Sequence, residues 1–414
     1  MNYTITLNNI NKRFYWPIVI IVAIQKYIPP ELFLVINGAF LLYLLFSVGK
    51  IELNTIWGAW ALYSIFILGV IVGAVSLSHT NVREYIRDIF YYINPIIFIL
   101  CGTFYAKLNI SYTKYCNSLV LGAMFPIIIY YYKFLNGVET TGVSGYVWIQ
   151  IVVLLINKFD KKIVINKFVR YLILILMLCS LVIGFSRTSI LIVLCVYIFG
   201  SIKDSDLIKI LKTVLTITIG FIIGYIVFYN VLPEDKITLY SEKVEKSFEE
   251  INPNLNWNDP MVITGHWRGY ESHCAIEEFK EGNPLEQIVG YGFGKRIRVG
   301  KYSYLLLLQK TPDGKPAEDI AITHNGYANL LVKLGLSGIV LIFTFYIILI
   351  VKSLKYNKEH NSLEARLLAG IMVALAVETV FLNGLFKESC YYGLVTSIGY
   401  FGYRIKNNKT FEEK

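Results

Sequence analysis

Three side chains in this sequence have the chemistry to handle an anionic leaving group and a hydroxyl. They are Arg187 in GFSRTSIL, Arg268 in GHWRGYES and His324 in HNGYANLLVKLGLSG. Arginine presents a planar fork that grips phosphate oxygens two at a time. Histidine titrates close enough to neutrality to take a proton from a hydroxyl. Together they suit the displacement of a pyrophosphate by a hydroxyl acceptor. Each also has a plainer reading. Arg187 lies at a tight turn between two apolar runs, where snorkelling to a lipid phosphate would account for it. Arg268, taken alone, is a surface arginine beside Trp267. His324 with Asn325 reads equally as a helix-capping Asn with a bystander imidazole.

The elements that must position these groups follow from the flanking pattern. After His324-Asn325, nine residues lead to Gly335; Leu336 and Ser337 follow, and then Gly338. The run from Ile339 to Val351 is almost wholly apolar, so the imidazole belongs at the mouth of a membrane helix. Asn325, Gly335 and Gly338 are expected to support it, the glycines by letting another helix approach closely. Upstream, residues 233–323 form one long polar connection. Within it Trp267, Tyr270, Cys274 and Phe279 recur near helical spacing, with Glu271, Glu277, Glu278 and Lys280 off that face. That pattern predicts an amphipathic helix lying on the membrane or across the mouth of the bundle. Gly282-Asn283-Pro284 ends it. The run Gly290-Tyr291-Gly292-Phe293-Gly294 predicts a tight loop with close backbone approach, outside any strand-loop-helix setting for a nucleotide.

Composition sets the solvent. The chain has 414 residues, 55% of them hydrophobic and only 16% charged. With a mean hydropathy of +0.54, the expected class is an all-α polytopic membrane protein. Twelve spans are expected, near 14–28, 32–49, 55–76, 87–106, 115–134, 143–158, 169–185, 187–201, 208–232, 325–351, 364–384 and 388–404. The division is a bundle over 1–232, a large external loop over 233–323 and a last helical part over 324–414. The net charge of +10 is gathered in short basic clusters rather than a nucleic-acid face. Lys158, Lys161, Lys162, Lys167 and Arg170 form one cluster; Lys352, Lys355, Lys358 and Arg366 another; Arg404, Lys406 and Lys409 a third. The positive-inside rule then places both termini in the cytoplasm. His266 and His273 flank Arg268 as further candidates for the site lining. His79 and His360 read as loop residues, Tyr130 to Tyr132 as an interfacial belt, and Glu378 as an intramembrane structural carboxylate. The six cysteines form no metal or disulfide pattern.

The order of these motifs resembles the O-antigen ligase and polymerase family of bacterial envelopes. GFSRTSIL is similar to that family's Ser-Arg motif before the large external loop. GHWRGYES followed by NPLEQIVGYGFG is similar to its loop arginine and Gly-rich turn, and His324-Asn325 to Gly338 matches its His motif. The resemblance spans about residues 140–390. It implies a metal-independent glycosyltransferase without cofactor in the bacterial cytoplasmic membrane. Arg187 and Arg268 would bind the diphosphate of an undecaprenyl-diphosphate-linked glycan donor, and His324 would activate the acceptor hydroxyl. The acceptor would be another lipid-linked repeat unit or lipid A core. Membrane lipids and a chain-length regulator protein are the further expected partners, and nucleic acid is not. A polymerase is preferred over a ligase, and a polysaccharide flippase is the reading from another class.

Overall fold

Apolar runs fold into helices here because a backbone in lipid has no water to bond and must satisfy its own N–H and C=O groups. The computed structural model describes residues 7–25, 27–48, 55–76, 82–137, 167–184, 187–201, 255–305, 318–386 and 392–407. Among the described residues, seven helices precede the polar connection: α1 (Leu7–Ile24), α2 (Pro30–Val48), α3 (Ala59–Val75), α4 (Val82–Lys107), α5 (Tyr112–Leu135), α6 (Lys167–Gly184) and α7 (Arg187–Ser201). Within the connection lie α8 (Pro260–Gly265), α9 (Trp267–Glu281) and α10 (Pro284–Val289). A two-stranded antiparallel ribbon joins β1 (Ile297–Arg298) to β2 (Asp319–Ile320), with Ile297 opposite Ile320. The chain then runs through α11 (Gly326–His360), α12 (Leu363–Phe381) and α13 (Tyr392–Lys406).

Among the described residues, α4, α5 and α11 are long and apolar enough to cross a membrane, by length and composition. That fits an all-α membrane protein. The expected spans 143–158 and 208–232 lie outside the described residues, as do 233–254 and 306–317 of the long connection and His79. The remaining expected spans coincide with helices, several of them shorter than a bilayer crossing. Helix α11 runs past the expected end at Val351, to a left-handed cap at Asn361. The core is close-packed where α4 meets α13: a Cβ on Gly102 would come 1.8 Å from the Thr396 carbonyl oxygen, and one on Gly399 1.9 Å from that of Ile99. Small residues let two helix backbones touch at that crossing.

Helix α11 is broken, and the break organises the packing of the polar connection against the bundle. Gly335 sits at φ 59° and ψ −158° inside α11. In a continuous helix the carbonyls of Val332 and Lys333 would accept from the N–H groups four residues on. Gly335 interrupts that ladder, and the carbonyls accept instead from Tyr291 (3.0 Å) and Gly292 (2.9 Å). The Gly-rich turn thus docks on the break. Phe293 follows it into the core, its N–H on the Gly69 carbonyl at 3.1 Å and its ring 4.5 Å from that of Tyr92. Gly292 has φ +85°, and a Cβ there would meet the Gly73 nitrogen at 2.2 Å. The expected close backbone approach of this loop is present.

Charge closes the same junction. Asp88 of α4 and Lys333 of α11 form an ion pair with both side chains fully buried, and Asp88 also accepts from the Gly294 N–H at 2.8 Å. Arg296 binds Glu84 of α4 (2.7 Å) and Asp319 beside it (2.7 Å), fastening the ribbon to the bundle. The two glycines expected to support packing differ. A Cβ on Gly338 would first meet its own helix's Leu334 side chain, at 2.4 Å. Gly335 is approached closely by another helix, the short α10, the Ile288 carbonyl lying 2.5 Å from where its Cβ would be.

Gly335→Ala should therefore strain a positive-φ position by about 1–3 kcal/mol. Expected results are a lower melting temperature and faster amide exchange at Tyr291 and Gly292, against Gly38→Ala, where a Cβ meets only open space. Unchanged exchange at those two amides would contradict the docking role of the break.

Candidate functional site

Helix α9 begins at Trp267, so Trp267, Arg268 and Glu271 occupy its first turns, and spacings of three and four bring them to one side. The Trp267 indole donates to Glu271 Oε1 at 2.5 Å. The other oxygen, Oε2, accepts the His324 backbone N–H at 2.9 Å and faces the His324 ring Nδ1 at 2.8 Å. Glu271 is buried, whereas the His324 side chain is 45% exposed. The carboxylate is therefore met by the indole, the His324 backbone and the His324 ring, while nearly half of the His324 side chain stays exposed.

The segment carrying His324 is held from three directions. Strand β2 anchors its start on β1. Arg87 of α4 donates to the Ala321 carbonyl at 3.3 Å. Asn325 then caps α11, its side-chain oxygen accepting from Tyr327 (3.0 Å) and Ala328 (3.1 Å). Asn325 thus caps α11, and the His324 backbone and ring both face Glu271. A base oriented by a buried carboxylate is the arrangement that general-base catalysis uses. With Nδ1–H donated to Glu271, the free Nε2 has a lone pair for a hydroxyl proton.

The other expected site residues fare differently. Arg268 is half-buried one helical turn before Glu271, and among the described residues its guanidinium meets no carboxylate. Arg187 is the first residue of α7, and its side chain lies outside the described residues. His273 turns away from the dyad and stacks on Trp257, with centroids 5.8 Å apart. Burial pushes the neighbouring Cys274 thiol up to about 11, so it stays protonated at neutral pH and is a poor nucleophile.

Glu271 corrects the sequence reading, which set it off the packed face of α9. That face is defined by contact with α11 and β1, not by lipid, and the carboxylate is drawn in by a histidine 53 positions away. Asp88 and Lys333 were also passed over. A signal existed: both fall inside expected spans, where ionisable residues are rare and need a partner.

Compared with models of known protein families, the chain matches none; compared with curated proteins, it likewise matches none.

Glu271→Gln should uncouple the dyad while keeping its shape. An amide has one acceptor oxygen and one donor nitrogen, so it cannot accept from both Trp267 and His324. Activity that depends on His324 should fall on the order of 10²-fold, with folding retained by circular dichroism. Full activity in that variant would remove Glu271 from the site.

Proposed function

We propose that this chain is a membrane-embedded glycosyltransferase that joins lipid-diphosphate-linked glycan units on the outer face of the bacterial cytoplasmic membrane. The observation that carries this reading is the His324–Glu271 dyad, set one helical turn from Arg268 at the end of a broken membrane helix. In this reading His324 Nε2 takes the proton of an acceptor hydroxyl as its oxygen attacks the anomeric carbon of the donor. The bond from that carbon to the diphosphate oxygen breaks, and inversion results from attack opposite the leaving group. Arg268, with Arg187 from the start of α7, takes up the diphosphate charge. Glu271 holds the ring and offsets the positive charge that forms on it. The acceptor is a second lipid-linked repeat unit, which makes the protein a polymerase; transfer to lipid A core would make it a ligase. Twelve spans with both termini cytoplasmic belong to this proposal too.

A flippase is the second reading, and the buried Asp88–Lys333 pair favours it, since intramembrane charges often mark a transport path. Both side chains are, however, fully buried, and Asp88 is also closed off by the Gly294 N–H. A structural clamp explains the pair more simply.

Purified protein in lipid vesicles, supplied with lipid-diphosphate-linked repeat units, tests the proposal. The parent chain should lengthen the glycan. His324→Ala should lower the rate at least about 10²-fold at equal protein level. Arg187→Lys should also be badly impaired, because a point ammonium loses the bidentate geometry. Elongation by His324→Ala at the parent rate would overturn the reading.

A further inference from the structure

A cleft of about 540 Å³ opens beside the dyad, on the external part of the chain. That volume falls within the roughly 300–1,000 Å³ of small-ligand sites. Its floor and walls are aromatic: Trp257, Tyr270 and Tyr302, with ring centroids 5.9 Å apart from Trp257 to Tyr270 and again from Tyr270 to Tyr302. The two phenols are already spent, Tyr270 donating to the Val299 carbonyl (2.9 Å) and Tyr302 to that of Asn258 (2.7 Å). These tyrosines therefore offer ring surface more than hydroxyl. The rim is polar, with Asn256, Glu277 and Glu281 around the opening.

The charges at this rim are balanced in place. Glu277 pairs with Lys280 (2.8 Å), Glu278 with Lys295 (2.6 Å) and Arg298 (2.9 Å), and Glu281 with Arg298 (2.6 Å). Each carboxylate of the lining is thus already paired, with Arg298 of the lining or with Lys280 and Lys295 outside it, so none of the three is left to hold a free cation and Arg298 is not left to hold an anion. A diphosphate gains little here, and Arg268 remains its better partner. What fits is an uncharged molecule with an apolar face and a rim of hydroxyls.

We propose that this cleft binds an uncharged sugar residue of the acceptor glycan, stacked on the ring of Trp257 with its hydroxyls on Glu277, Glu281 and Asn256. The sugar class follows from the cleft alone; its assignment to the acceptor rests on the transferase reading. Helix α9 carries both sites, since Glu271 meets His324 while Tyr270, His273, Cys274 and Glu277 line the cleft. A sugar seated here would be held by the same rigid helix that orients the base. Specificity for the acceptor and activation of its hydroxyl are then set by one element.

The test is saturation-transfer NMR on the full chain in nanodiscs. The probes are glucose, galactose, rhamnose, N-acetylglucosamine and N-acetylgalactosamine, with glucuronate and spermidine as charged comparisons. At least one neutral sugar should give a signal that falls about tenfold or more in Trp257→Ala and persists in His324→Ala. Glucuronate and spermidine should give none with the parent chain. Glu277→Gln with Glu281→Gln changes only exposed carboxylates and leaves the rim with two excess positive charges, so glucuronate should then begin to bind. No signal from any neutral sugar, or equal binding of glucuronate or spermidine to the parent chain, overturns the proposal. Because binding is read without turnover, its loss beside an inactive His324→Ala would remove the cleft and keep the transferase. Its persistence beside an active His324→Ala would do the reverse.

Discussion

The two carbonyls freed at Gly335 are what the packing of the Gly-rich turn and α9 depends on. A helix that breaks in a membrane protein must find new donors for its orphaned acceptors, because an unmet polar group in lipid costs several kcal/mol. Here the donors come from Tyr291 and Gly292, more than forty residues back along the chain. The exchange fixes where the Gly-rich turn sits, and Phe293 and the Asp88–Lys333 pair then lock it. Glycine is required at both ends of this contact. Gly335 needs the positive φ, and Gly290, at φ +76°, leaves no room for a Cβ against the Lys333 backbone.

Everything at the dyad is downstream of that junction. Helix α9 belongs to the same polar segment, and Glu271 meets His324 only because α9 is held over the start of α11. The ribbon adds a second fastening through Arg296 to α4. Buried ion pairs contribute little net stability, yet breaking one by removing a single partner costs about 3–5 kcal/mol. Asp88 and Lys333 thus act less as glue than as a constraint on register: the observed docking of the turn satisfies both charges and the Gly294 N–H together.

Much of this was legible in the sequence, and the remainder has a physical reason for being hidden. Hydropathy located the helices, because lipid leaves a backbone few alternatives. The spacing from His324 to Gly335 marked a helix mouth, and the glycines of 290–294 marked a close approach. Sequence spacing could not say what was approached. A glycine suited to helix packing and one suited to a helix break look the same until the chain around them is folded, and Gly335 is both, broken at positive φ and packed against α10. Glu271 was hidden for a related reason. Its helical periodicity puts it off the apolar face of α9, but that face packs on protein, so a buried carboxylate is tolerated where His324 and Trp267 supply the donors.

If Glu271 orients the His324 ring as a base, Nδ1 carries the proton and Nε2 is bare. The ¹⁵N chemical shifts of the His324 ring, read by NMR at neutral pH in protein labelled at histidine, report this directly. The expected result is an Nδ1–H donated to the carboxylate and a pyridine-like Nε2. A ring protonated at Nε2 with a bare Nδ1 would contradict it, because no lone pair would then face an incoming hydroxyl.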